Sequence, residues 1–579
     1  MTGVHLTGVQ RRTVTVACTP GFAPEFIYPF TPLDHYGVAN LQEFQTLLYR
    51  PLYWVGSGGK PELDEALSLA QRPVWSADGL TATVTVKPWR WSDGTVLDAD
   101  AVMFWMHLLQ AEKDQFGGYS PGCFPDNLVG VRKVSPDSVE FTFDRVYSRT
   151  WVLMNQLSTI TPLPKAWDRT ADGPADATHD PADAPAVHAY LRAANDDRAG
   201  WADSPVWGVV NGPWRLRSYT IDGAEGEAVF VPNDSYDGPN RPRLAELRMK
   251  PFGTDHEQYR WLSEPAPGQA RLGYLPFEHV TEPTDDPSKG GPNPLPDSHT
   301  LVPQLTYKIH YFPINFANSS APGRAYRQLY VRQALQGTLD AERAIREIYR
   351  GYGYPTNGPI PVLPDSPLLS EAQRRAPYPF DVDRARSLLA EHGWDVSITP
   401  AVCVDPERAG EGIEAGDRLS FRMRYAAGHP TLTALFEQYA KDAAAAGIEI
   451  SFTEVDAAVM VVEDTTGKPG WQFADWNGGW GYGPGYHPTG EALYGTGSGV
   501  NFGSWSDPET DRLIERTVTG DDLADLHAYA ENVARQLPVI WMPNFPFRLL
   551  EVPHGLRGVE PVNPYGLINP EHWYLEEDA

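Results

Sequence analysis

From Trp476 to Gly490 the chain carries no Asp, Glu, Lys or Arg, and Gly478, Gly479, Gly481, Gly483 and Gly485 alternate with Trp476, Trp480, Tyr482, Tyr486 and His487. Neither a helix nor an ordinary strand tolerates that glycine density, because each glycine adds chain entropy and removes a packing side chain. The surrounding stretch WQFADWNGGWGYGPGYHPTGEALY, Trp471 to Tyr494, is therefore predicted to be a loop. Rigid aromatics interleaved with bare backbone offer flat apolar walls beside free N–H and C=O groups, which suits an elongated ligand. The same composition also suits a turn whose aromatics plug a domain interface.

A chain of 579 residues exceeds what one hydrophobic core supports, so two or three domains are expected. Its 18 tryptophans supply ample core material. With 47 Lys and Arg against 75 Asp and Glu, the net charge of −28 would repel a phosphate backbone, so a nucleic-acid partner is not expected. Cys18, Cys123 and Cys403 are far apart and lack C-x-x-C spacing, which argues against a structural zinc site and leaves room for one disulfide at most. No run of about 18 apolar residues is present, as a membrane-spanning helix would need. MTGVHLTGVQRR is polar and has no apolar core of a secretory signal. Either a signal segment has been removed or the protein stays in the cytoplasm.

Thr13 to Cys18 alternates β-branched residues and reads as a buried strand. Val38 to Trp54 reads as a helix with Leu41, Phe44, Leu47 and Leu48 on one face, ending before Pro51. Leu80 to Trp91 alternates Thr with Ala and Val like hairpin strands, with the turn at Trp91-Ser-Asp-Gly. Asp98 to Gln110 reads as an amphipathic helix capped by Asp98 or Asp100.

The run PWRWSDGTVLDADAVMFWMHLL resembles the signature of the extracytoplasmic solute-binding proteins of ABC importers, in the oligopeptide, dipeptide and nickel-binding family (family 5). Three further matches follow in that family's order: NGPWRLRSY with VPNDSYDG, VRQALQGTLDAERAI with GYGYPTNGPIP, and DVDRARSLLAEHGW. Read from the residues alone, these motifs are scaffold: Asp381 or Asp383 caps a helix that buries Ala385, Leu388 and Leu389, and Gly393 ends it. Asn211-Gly-Pro reads as a turn into the strand Trp214 to Tyr219.

Between the matches, residues 168–187, 281–299 and 404–418 are rich in Asp, Pro and Gly and read as surface excursions. Leu432 to Val455 reads as a helix, a stop at Gly447 and a strand; Leu523 to Phe545 reads as a helix and a strand. The G-x-S-x-G, P-loop, H-E-x-x-H and G-x-G-x-x-G patterns are absent, HEQYR at His256 is one His short of a zinc motif, and no cofactor or metal is expected.

The resemblance implies an α/β fold of the periplasmic-binding type II: two lobes joined by hinge strands, with an extra inserted domain. Lobe one is placed at residues 1–48, 208–310 and 526–579, the inserted domain at 49–207, and lobe two at 311–525. It further implies non-catalytic capture of a solute between the lobes and delivery to an ABC permease in the membrane, by a monomer outside the cytoplasm. A cytosolic protein of the same fold with another role, catalysis included, is the alternative. The family's ligand-contacting segment falls on the aromatic loop, so Trp476, Asn477, Trp480, Gly481, Tyr482, Gly483, Tyr486 and His487 are the candidate ligand residues. The family's early loop and hinge-proximal strand add Phe26, Tyr28, Tyr311 and Asn315, for which a buried core role is the competing reading. Peptide-binding members also carry an Asp near the Trp-containing segment that pairs with the peptide's ammonium group. Here the nearest acids, Asp475 and Glu491, are read as lying at the wrong offset. An ammonium buried without a counter-charge costs several kcal/mol, so the expected ligand is an N-blocked or cyclic peptide or a neutral oligosaccharide, with a nickel chelate as a third candidate.

Overall fold

The computed structural model describes residues 12–483 and 485–576, so the reading of the N-terminal residues 1–11 lies outside the described residues. The strand Thr13–Ala17 sits at the centre of a seven-stranded sheet in the order Trp214–Tyr219, Ala228–Pro232, Glu246–Lys250, Thr13–Ala17, Ala270–Tyr274, Arg548–Pro553, His299–Gln304. It runs parallel to both neighbours, and the outer pairs are antiparallel. A strand flanked on both edges, with Val14 and Val16 buried on one face and Thr13 and Thr15 half-buried on the other, is what the Val/Thr run TVTVA suits. The expected strand ends one residue early, but the Cys18 amide still donates to Lys250 O across the ladder at 2.8 Å. All three cysteines are free thiols.

A second body is built on three parallel strands, Glu449–Val455, Ser420–Ala426 and Phe473–Asp475, with the helix Pro430–Ala445 packed on them. Gly447, at φ +92°, turns that helix into the next strand as expected. Two short antiparallel strands, Tyr311–Pro313 and Val539–Trp541, join the two bodies. Their period of two sorts the side chains: Tyr311, Val539 and Trp541 enter the large core of the first body, while Phe312, Ile314, Ile540 and Met542 enter the second. Each joining strand thus belongs to both cores.

A four-stranded antiparallel sheet, Val74–Trp75, Thr81–Thr85, Ser138–Phe143 and Leu128–Ser135, carries the helix Ala99–Glu112. Asp98 is the cap of that helix, accepting from the Ala101 amide at 3.2 Å, and Asp381 caps the helix Val382–Glu391. Of that helix's expected buried face, Ala385 and Leu389 are buried and Leu388 is half-buried.

Two expectations need correction. Residues 168–187 are not simply a surface excursion: Asp168 is 3% exposed and its carboxylate accepts from the Ala177 and Thr178 amides and the Thr178 hydroxyl, folding Ala177, Ala184 and Val187 into the core. Counting residue types does not reveal an aspartate that gathers its own loop. The expected helix from Val38 is a π-helix, Ala39–Gln45, followed by one α turn, Thr46–Leu48. The wider turn buries Asn40, Gln42, Glu43 and Gln45, which a 3.6-residue period would have left in water.

Candidate functional site

The three strands of the second body run parallel, so their carboxyl ends, at Ala426, Val455 and Asp475, share one edge. Ligands of open α/β sheets bind at such an edge, because the loops that leave it are free of the scaffold. The aromatic loop leaves from Asp475. Asn477, Gly478 and Gly479 all have positive φ and reverse the chain. A Cβ on Gly479 would collide with the carbonyl oxygen of Ile309, so only glycine brings the loop this close to the joining segment. Trp480–Gly481 then pairs antiparallel with Lys308–Ile309, and the expected loop therefore contains a two-residue strand.

Beyond this pairing the stretch closes. The Tyr482 amide donates to Tyr307 O at 3.0 Å and its hydroxyl to Pro359 O. Gln42 Nε2 donates to Gly483 O at 3.1 Å, a use of the buried π-helix face. Tyr486 packs edge-on against Tyr565 with ring centroids 4.5 Å apart. Asn155 holds His487 by its backbone, accepting from its amide at 2.8 Å and donating to its carbonyl at 2.9 Å. Burial pulls the His487 imidazole down to about 4, so it is neutral at ordinary pH.

The open part is short. Gly479 and Gly481 are exposed, and Trp476, Asn477, Gly478 and Trp480 are half-buried. Trp476 leans on Phe502 with centroids 5.1 Å apart. Asn477 Nδ2 donates to His429 Nδ1 at 2.9 Å, tying the loop to the amino end of the helix Pro430–Ala445. Burial lowers the His429 pKa, which keeps that ring nitrogen available as an acceptor.

The other candidates are interior. Phe26 and Tyr28 are 1% and 0% exposed; Tyr28 packs among Phe30, Trp167, His188 and Trp207, away from the aromatic loop. Asn315 is 0% exposed, and its Nδ2 donates to Lys468 O and Trp471 O, so it brackets the start of the aromatic stretch from behind. Tyr311 faces Trp541 inside the joining strands.

The two acids near the loop differ in how they are engaged. Asp475 is buried, with Oδ1 accepting from the Asn477 amide at 2.7 Å and Oδ2 3.2 Å from His310 Nε2. Glu491 Oε1 accepts from Trp151 Nε1 at 2.6 Å, and its Oε2 is buried without a partner among the described residues. His310 and its neighbour Lys308 give no signal in the sequence. They alternate with Tyr307 and Ile309 in YKIHY, an ordinary half-exposed pattern, yet both are buried. Among the described residues no group of three or more His, Cys, Asp or Glu could hold a metal ion, and no helix is long and apolar enough to cross a membrane.

Residues 66–499 match the family model described as bacterial extracellular solute-binding proteins, family 5 middle. Among curated relatives, protein XP55 of Streptomyces lividans is 28% identical over 145 residues, 25% of this chain and 24% of that protein. The glutathione-binding protein GsiB of Escherichia coli (strain K12) is 22% identical over 372 residues, 63% of this chain and 60% of that protein. The matches thus span about a quarter and three-fifths of these relatives' lengths. Two solved structures share the fold along their whole length. The oligopeptide-binding protein AppA of Bacillus subtilis, in complex with a nonapeptide, has a TM-score of 0.67 at 18% identity, covering 98% of this chain and 99% of that one. A periplasmic oligopeptide-binding protein of Thermotoga maritima, bound to mannohexaose, has a TM-score of 0.69 at 16% identity, covering 99% and 100%.

Proposed function

Because the chain belongs to the bacterial extracellular solute-binding proteins of family 5, we propose that it captures an elongated solute between its two lobes and delivers it, as a monomer, to an ABC permease in the membrane. It is a binding protein of a non-enzymatic family. The observation that carries the reading is the open part of the aromatic loop: exposed Gly479 and Gly481 backbone between half-buried Trp476 and Trp480, at the carboxyl edge of parallel strands. Stacking on such rings contributes on the order of 1 kcal/mol each beyond the area they bury. Lobe closure over the solute makes these contacts in the bound state alone, and that difference drives the closure. Lobe one takes residues 1–48, 208–310 and 526–579, the inserted domain 49–207 and lobe two 311–525, and the protein works outside the cytoplasmic membrane.

The solute lacks a free α-ammonium group at this loop. Asp475, the acid that opens the loop, has both carboxylate oxygens engaged and is not available to an ammonium, whereas Glu491, which follows the closed part of the stretch, gives Oε1 to Trp151 and keeps a buried Oε2 without a partner among the described residues. N-blocked or cyclic peptides, oligosaccharides and, as the third candidate, a nickel chelate remain, and the mannohexaose complex of one structural neighbour supports the oligosaccharide among them. Calorimetry against free-amine peptides, their N-acetylated forms and oligosaccharides tests it. Tight binding of free-amine peptides that is lost on acetylation would overturn the reading.

A further inference from the structure

Lys308 is 6% exposed, and among the described residues its ammonium has neither a carboxylate partner nor a hydrogen-bond acceptor. The ring of Phe545 lies beneath it, with its centroid 4.0 Å from Nζ. Burying an ammonium without a counter-charge costs several kcal/mol, and cation–π attraction offsets only part of it. The other strongly buried cations solve the same problem differently. Arg50 and Arg548 are paired with Glu571 and Glu43, and Arg332 donates to three backbone carbonyl groups near its helix and at Gln536. In a chain of net charge −28, an interior lysine without a carboxylate partner is a group that an anion would stabilise.

The position of Lys308 says which anion. It pairs through its backbone with Gly481, the exposed end of the open loop. Phe545, under the ammonium, packs edge-on against Phe277 of the first body and stacks on Tyr349 of the second, so the side chain lies where the two bodies meet. We infer that Lys308 receives a carboxylate of the captured solute, one strand away from the rings that hold its body. The inference rests on the interlobe capture proposed above and narrows its ligand to a carboxylate-bearing solute without a free ammonium, such as an N-blocked peptide acid or an acidic oligosaccharide.

The electrostatics support this geometry. Burial alone pulls the Lys308 ammonium down to about 7. The titratable groups around it are otherwise committed: His310 to Asp475 and Pro543 O, and Arg548 to Glu43. The Tyr349 and Tyr354 hydroxyls are held far above their ordinary value by burial. A solute carboxylate favours the protonated amine and raises its pKa in the complex. Binding of acids is therefore flat below about pH 7 and weakens as pH rises from there to the pKa of the complex, with one proton taken up on binding in that window.

The test is retention of a defined library of N-acetylated tripeptides, each present as free acid and as C-terminal amide, by wild type, Lys308→Met and Trp480→Ala. Wild type should favour the acids by about tenfold or more, with proton uptake above about pH 7 in buffers of different ionisation enthalpy. Lys308→Met should lose both the preference and the proton uptake. Empty Lys308→Met should melt no lower than wild type, because it removes an unpaired buried charge, whereas a lysine with a structural role would lower the melting temperature. Equal retention of acids and amides by wild type would overturn the role of Lys308 and leave interlobe capture standing. Retention of neither form would overturn the carboxylate inference, and oligosaccharide binding that depends on Trp480 would then keep the capture reading separate.

Discussion

The two halves of the aromatic loop share a composition and differ in what they meet. Residues 476–481 are half-buried or exposed, with the Gly479 and Gly481 backbone bare, whereas Tyr482, Tyr486, Thr489 and Gly490 are buried and tied down by Gln42, Asn155, Pro359 and Tyr565. The closed half is fixed by elements from four other regions of the chain. The open half is held more lightly, by Asn477 on His429, by Trp476 on Phe502 and by the short pairing with Lys308–Ile309. A charge-free glycine–aromatic stretch is therefore open in one half and packed in the other, and the second half packs as the competing reading of its composition describes.

The comparison breaks most completely at Gly479. A valine there combines a collision with the Ile309 carbonyl and a φ of +67°, so Gly479→Val should cost about 3 kcal/mol or more in chemical denaturation and abolish solute binding with it. Removing the closed half's anchor should separate stability from binding. Asn155→Ala deletes two hydrogen bonds to the His487 backbone and should cost about 2 kcal/mol of stability, with solute affinity changed less than about twofold. Trp480→Ala should show the reverse split in calorimetry: affinity lower by about tenfold, with a smaller loss of stability than Asn155→Ala gives. The smallest effect is in pH. His487 titrates near 4 in the folded chain and near 6.5 when unfolded, so the unfolded state binds the proton first. Its contribution is present above about pH 6.5 and is lost as pH falls towards 4, and His487→Gln should flatten the melting temperature over that window.

The frame was readable in the sequence because its signals are local. Glycine density marked the loop, the pairs Asp98 or Asp100 and Asp381 or Asp383 marked helix starts, Gly447 marked a stop, and the ordered motifs pointed to the family that the family-model match then showed. What stayed hidden depends on partners distant in the chain. Gln42 and Gly483 are 441 residues apart, and Asn155 and His487 are 332 apart, so no pattern in either stretch announces the contact. The π-turn at Ala39–Gln45 defeated a period of 3.6, and YKIHY gave no sign that Lys308 and His310 have another body over them. For Phe26, Tyr28 and Asn315, aromatic and amide residues serve a core as readily as a cleft, and all three are buried here.

Amide hydrogen exchange on the protein as isolated with its retained solute, against the same protein unfolded, dialysed free of solute and refolded, tests the central claim most directly. Solute should slow exchange at residues 476–481 and at Lys308–Ile309, while the closed half from Tyr486 to Tyr494 exchanges at the same slow rate in both. Protection gained from Tyr486 to Tyr494, with residues 476–481 unchanged, would contradict the account and place the solute against the half assigned to sealing the core.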